Sequence, residues 1–154
     1  MKVLIQRVKT AKVLIDGSIY SEIDKGLLIF LGVEKADTQE DILWLCKKIK
    51  NLRIFPDKND KMNYSLLDIG GEVLIVSQFT LPADCRKGNR PSFEHSEDPV
   101  IAKQMYEDFI AEISVDNVKV KTGVFGAMMD IELTNWGPVT FMLDHKSDMN
   151  YNEK

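Results

Sequence analysis

The chain has 154 residues, 44% hydrophobic and 29% charged, values of an ordinary globular domain that exclude a disordered or fibrous chain. This length predicts one domain over 1–154 with enough buried surface to need no disulfide or metal support. Its net charge of −4 excludes a general nucleic-acid coat. The longest apolar stretch, Leu27–Val33, is far short of the ~18 residues of a spanning helix, so no membrane partner is expected. Charge at Lys2 and Arg7 comes too early for a secretion signal, and a cytoplasmic protein is expected.

The chain opens with β signals. Lys2–Val8 and Thr10–Ile15 are rich in Val, Ile and Leu, and Asp16-Gly17 predicts a tight hairpin turn into a partner strand over Ser18–Ile23. Gly26–Val33 is an apolar run of strand length, expected to be buried on both faces. A helix follows: Asp37 or Thr38 caps it, Glu40 and Asp41 suit its positive end, and Lys47, Lys48 and Lys50 suit its negative end. Ile42, Leu45, Cys46 and Ile49 form its apolar face, so Cys46 reads as core.

Leu52–Phe55 and Glu72–Phe79 read as strands either side of a polar turn region, Pro56–Lys61. Residues 82–97 lack periodicity and form a long loop, a kind of segment that in compact domains is often functional. Asp98-Pro99 then starts a second helix with Ile101/Ala102, Met105/Tyr106, Phe109 and Ile113 on its inner face. Strands are predicted over Val118–Thr122, Met128–Thr134 and Val139–Leu143, followed by a flexible tail over 145–154. Two amphipathic helices cannot cover both faces of so many strands. The expected fold is therefore α/β with mixed sheets: a single-domain, three-layer β/β/α sandwich with two main helices on one outer face.

Charge is unevenly distributed. Residues 1–90 carry 15 basic and 12 acidic side chains, whereas residues 91–154 carry 5 and 12. Such asymmetry marks either a polyanion-facing side or merely a solvated face. The two cysteines form no disulfide framework, and with only two histidines no metal site and no cofactor is expected. Glycine-rich phosphate loops, a dinucleotide fingerprint and HExxH are absent from the sequence. His95 in the polar loop and His145 after the last strand read as solvated.

Two segments are harder to explain as structure alone. In Ser77-Gln78-Phe79-Thr80-Leu81-Pro82, an apolar strand runs into hydroxyl and amide groups at its C-terminal end, where a scaffold fixes side chains that a loop leaves accessible. The other is Asn135-Trp136-Gly137-Pro138-Val139-Thr140, between two predicted strands. Each is also consistent with a plain turn.

These segments, together with Gln6-Arg7-Val8, Gly32-Val33-Glu34, Asn51-Leu52-Arg53-Ile54-Phe55, Lys61-Met62-Asn63, Arg86 through Phe93, and Phe125-Gly126-Ala127 with Met129, resemble the D-aminoacyl-tRNA deacylase family over nearly the full length. The resemblance implies a homodimeric hydrolase that cleaves the ester between a D-amino acid and the terminal ribose of tRNA, and acts on glycyl-tRNA too. It implies a cis bond at Gly137-Pro138, whose carbonyls, presented by the neighbouring subunit, obstruct an L side chain and tolerate hydrogen. It places Ser77, Gln78, Phe79 and Thr80 at the ester, with main-chain N–H groups as oxyanion donors.

Phe125 and Met129 would line the adenosine pocket, and Arg7 would brace the Gly-Pro turn from inside. Thr80 has two open roles, nucleophile or positioning group, the latter with a tRNA 2′-hydroxyl assisting the water. This sequence departs from the family pattern at Pro82, Cys85 and Met128, none of them assigned to the ester. The competing reading is a non-catalytic tRNA- or RNA-binding module, motivated by a basic rim of Arg86, Lys87 and Arg90 with Lys2, Arg7, Lys9 and Lys12.

Overall fold

A computed structural model describes residues 1–145. Strand β1 runs unbroken over Lys2–Ile15, where the sequence suggested two strands. Asp16 and Gly17 both adopt positive φ, 50° and 75°, and turn the chain into β2, Ser18–Ile23. Strand β3 (Gly26–Gly32) is followed by α1 (Gln39–Asn51), β4 (Phe55–Pro56), β5 (Met62–Tyr64) and the one-turn α2 (Leu66–Ile69). Strand β6 (Glu72–Ser77), α3 (Pro99–Ile113), β7 (Lys119–Thr122) and β8 (Asp130–Asp144) complete the chain.

One six-stranded sheet in the order β2-β1-β3-β6-β7, with β8 on the other edge of β1, makes two layers. Strand β1 is the reason. Its first half, Lys2–Val8, pairs antiparallel with β3, and its second half, Ala11–Ile15, pairs with β2. Since β2 and β3 share one edge of β1, the strand must leave one layer and enter the other. The Ser21 hydroxyl donates to the Thr122 carbonyl at 2.7 Å, which ties β2 across the sheet to β7. Strands β3, β6 and β7 are parallel, joined by the α1 and α3 crossovers.

The period-2 alternation of β3 and β6 serves both layers. Leu27, Ile29, Leu31, Val73 and Ile75 face the helices, where they pack with Ile42, Leu45, Ile49, Phe109 and Ile113. Leu28, Leu74 and Val76 face Val8, Ala11, Val13 and Ile23 of the second layer. Each such fully buried side chain contributes roughly 1.5–3 kcal/mol. Both long helices lie on one outer face, with Cys46 and Phe109 in contact between them.

Helix α1 starts at Thr38, whose backbone N–H donates to the Asp41 carboxylate at 2.7 Å. Helix α3 starts at Asp98, whose carboxylate accepts from the Val100 N–H at 2.9 Å, with Pro99 in the first turn. The inner face of α3 is Tyr106, Phe109 and Ile113; Ile101 stands 51% exposed and is not part of it. Leu52–Phe55 is not a strand. Only its last residue enters one: Phe55–Pro56 pairs with Met62–Tyr64 in a two-stranded ribbon.

His145 is not solvated. Its ring stacks on Trp44 at 4.2 Å, and its Nδ1 lies 2.8 Å from an Asp41 carboxylate oxygen, so the expected flexible tail does not begin there. The remainder of that segment lies outside the described residues. Among the described residues no helix is long and apolar enough to cross a membrane.

Candidate active site

Strand β6 enters the sheet as Val-Leu-Ile-Val and leaves it at Ser77, opposite Leu31 of β3. The chain then turns sharply. The Gln78 N–H still donates to the Leu31 carbonyl at 2.8 Å, and the Leu81 N–H closes a turn onto the Gln78 carbonyl. This turn rests on Gly32, where an added Cβ would lie 2.8 Å from Pro82 Cδ and 3.0 Å from the Gln78 carbonyl oxygen. A side chain at residue 32 would therefore push the turn away from the strand end. The N–H groups of Phe79 and Thr80 have no acceptor among the described residues, leaving two adjacent donors at the strand terminus.

A groove of about 490 Å³ opens beside this turn, lined by Ser77, Gln78, Phe79, Phe125 and Met129 and, from the start of α3, by Ser96, Glu97, Pro99 and Ala102. Phe125 is positioned from below by Tyr106, ring centroids 5.8 Å apart. The Tyr106 hydroxyl donates to the Ile75 carbonyl at 2.9 Å, and burial raises its pKa, so it stays a neutral donor. Met129 reaches the groove over Gly123, where a Cβ would meet its sulfur at 2.7 Å. Phe79 is 62% exposed and leans on Phe93, centroids 5.2 Å apart, while the Ser96 hydroxyl donates to the Phe79 carbonyl at 2.9 Å. Sequence reasoning did not single out Phe93 or Ser96. The long loop 82–97 was the signal, and its return to the strand end is what gives them a place. Thr80 is exposed and does not line the groove; its hydroxyl accepts from the Gln78 amide at 2.5 Å.

The remaining candidates form a second cluster. In the β1–β8 ladder, Gln6 pairs with Thr140 and Val8 with Asn135, so Trp136, Gly137, Pro138 and Val139 bulge out opposite the single residue Arg7. The Gly137-Pro138 bond is cis and both residues are exposed. Arg7, only 6% exposed, is not a surface cation. Its Nε donates to the Trp136 carbonyl at 2.8 Å, its Nη1 donates to the Ile54 carbonyl, and its guanidinium lies 4.7 Å over the Trp136 ring. Burial lowers its pKa, but from a value so high that it stays charged. The Asn135 amide donates to the Arg7 and Val139 carbonyls, both at 3.1 Å, and closes the neck of the bulge.

The two clusters do not meet within one chain. The bulge lies on the row of Arg7 and Leu27, four residues along β3 from Leu31 opposite Ser77, and three strands away from β6. That is a separation on the order of 20 Å. Of the other basic side chains read as a rim, Arg86 grips Asp84 at 2.6 and 2.8 Å, Lys12 pairs with Glu132 at 2.8 Å and Lys2 lies 3.8 Å from Asp144.

The end of β6 thus presents two main-chain donors beside a largely apolar groove on a mixed sheet. A sequence profile of the D-Tyr-tRNA(Tyr) deacylase family matches residues 4–144. The D-aminoacyl-tRNA deacylase of Thermosipho africanus is 58% identical over 146 residues, 95% of this chain and 98% of the relative. That of Aquifex aeolicus is 54% identical over 146 residues, 95% of this chain and 99% of the relative. The solved structure of a c-Myc DNA Unwinding Element Binding Protein superposes with a TM-score of 0.89 at 36% identity, covering 96% of this chain and 100% of that one. The chain belongs to the D-aminoacyl-tRNA deacylase family, and with it to the hydrolases that act on aminoacyl-tRNA.

Proposed function

We propose that the chain hydrolyses the ester joining a D-amino acid, or glycine, to the 3′-terminal ribose of tRNA, and that a second copy of the chain completes each site. The observation that carries this reading is the split described above. The donors and groove at the end of β6 and the carbonyl-bearing bulge of β8 are on the order of 20 Å apart in one chain, but both are exposed and available to a partner copy. In the reaction, water adds to the ester carbonyl carbon. The Phe79 and Thr80 N–H groups hold the developing oxyanion, and the ribose oxygen leaves with a proton, giving free amino acid and tRNA.

The adenosine stacks in the groove against Phe79, Phe125 and Met129, and Ser77 and Gln78 orient the ester. The partner's bulge sets main-chain carbonyls against the α-carbon, where an L side chain collides and a hydrogen does not. Because that wall is backbone, side-chain substitution within the bulge does not remove it. Such a protein works in the cytoplasm, where charged tRNA is found, as a proofreading enzyme. The test is hydrolysis of D-tyrosyl-, L-tyrosyl- and glycyl-tRNA by the wild-type protein. The expected result is cleavage of the D and glycyl esters at least 100-fold faster than the L ester; equal cleavage of D and L, or none, overturns the reading. Salt-sensitive tRNA binding without turnover would favour the non-catalytic module.

A further inference from the structure

The ester chemistry leaves one basic element unused, the tip of loop 82–97. The backbones of Asp84 and Ser92 pair through two hydrogen bonds of 2.8 and 2.9 Å, which close the segment 85–91 into a narrow projection. Arg86 is part of that closure. Its guanidinium is bidentate to the Asp84 carboxylate and its N–H donates to the same group at 3.0 Å, which holds Asp84 well below the usual carboxylate range. Lys87 and Arg90 are left exposed at the tip, and no carboxylate of the described residues lies within ion-pair distance of either. Behind the projection, the same loop returns through Phe93 and Ser96 to the Phe79 ring and carbonyl, which ties the segment that follows the projection to the groove.

The groove itself is unsuited to phosphate, because the one charged side chain among its described lining residues is Glu97. An apolar, slightly acidic groove together with a cationic loop whose base is closed by hydrogen bonds matches a neutral terminal nucleoside followed by phosphodiesters. From Asp84 to Lys87 is three residues, a reach of at most about 10 Å. We infer that Lys87 and Arg90 bind the phosphodiester backbone of a single-stranded RNA 3′ end whose last nucleoside occupies the groove. The proposal rests on the tRNA-deacylase reading for the identity of that end, and the pre-set loop geometry limits the ordering lost on binding.

The test is the salt dependence of binding of uncharged tRNA to the wild-type protein, to Lys87→Gln/Arg90→Gln, and to Lys47→Gln/Lys48→Gln on exposed α1 as an equal change in net charge. Two single-strand phosphate contacts predict a plot of log affinity against log salt that is shallower by about 1.4 for the tip variant, with affinity down roughly tenfold at low salt. The α1 variant is expected to keep the wild-type slope. A wild-type slope in the tip variant, or an equal change in both variants, overturns the inference. Binding is read without turnover, so a shifted slope with no hydrolysis of D-aminoacyl-tRNA by the wild type sinks the deacylase reading and leaves the tip assignment standing; hydrolysis with an unshifted slope does the reverse.

Discussion

In the proposed reaction the groove at the end of β6 and the bulge in β8 would each form a recognition surface, and they are built in two different ways. The groove is assembled from side chains, several of them half-exposed and leaning on one another: Phe79 on Phe93, Phe125 on Tyr106. The bulge offers main chain and the exposed Pro138, while Trp136 under the Arg7 guanidinium and Asn135 across the neck act as braces. Substitution in the groove is expected to change ligand contact with little effect on stability. At the bulge the order reverses, because the Arg7 brace is buried and the proposed contact is made by main-chain carbonyls.

The largest effect belongs to the brace. Arg7→Ala leaves the Trp136 and Ile54 carbonyls without their donor and removes a buried side chain, which should cost about 3–5 kcal/mol in a urea-unfolding experiment. Arg7→Lys should recover only part of this, since an ammonium cannot reproduce the planar fork. A loss under ~1 kcal/mol for Arg7→Ala would break the contrast between the two regions. Phe79→Ala tests the groove side: kcat/KM on D-aminoacyl-tRNA should fall about 10–100-fold, the value of one base stacked on an aromatic ring, with stability within ~1 kcal/mol of wild type.

Thr80→Ala sharpens the division of labour in the turn beside the groove. If the hydroxyl only positions neighbours, kcat should stay within about tenfold of wild type, whereas loss of a nucleophile would drop it by several orders of magnitude. The smallest effect lies away from both regions, at Asp41. Burial opposes its charge, but hydrogen bonds from the Thr38 N–H, His145 and the Thr38 hydroxyl outweigh it and set its folded pKa below the ordinary 3.8. Its ionised form therefore stabilises the fold above pH ~4, and that contribution is lost as pH falls through the folded value. Asp41→Asn should cost about 1 kcal/mol at pH 7. The two proteins should converge in acid, and hydrolysis at neutral pH should be unaffected.

Local chemistry was the legible part of the sequence. Asp16-Gly17, the Thr38 start of α1 and Asp98-Pro99 are decided by a few neighbouring atoms, and each stands where its residue types place it. The continuity of β1 is not legible, because Lys9, between Val8 and Thr10, looks like a break when only the half-exposed pattern of its neighbours is read. What carries the strand through them is β8, an edge supplied from the far end of the chain. For the same reason the motif at 77–80 and the motif at 135–140 could each be read as functional, while their separation in space could not. Ile101 was misplaced because the helical period leaves its phase open by one residue, and only the packing of Tyr106 and Phe109 fixes it. His145 reads as a polar tail residue until α1 supplies Trp44 and Asp41 beside it.

The pairing of β1 with β8 also bears on how the chain comes to be folded at all. Residue 2 pairs with residue 144 and residue 14 with residue 130, so the first strand made is completed by the last. Contacts of such long sequence separation form late and slowly, after the entropy of closing nearly the whole chain into a loop has been overcome. During synthesis the apolar edge of β1 therefore waits, paired on one side only, until the C-terminal strand has left the ribosome. Strand β8 is thus both the carrier of the bulge and the closing step of folding, and a chain that ends before residue 130 would present an unfinished sheet edge open to aggregation.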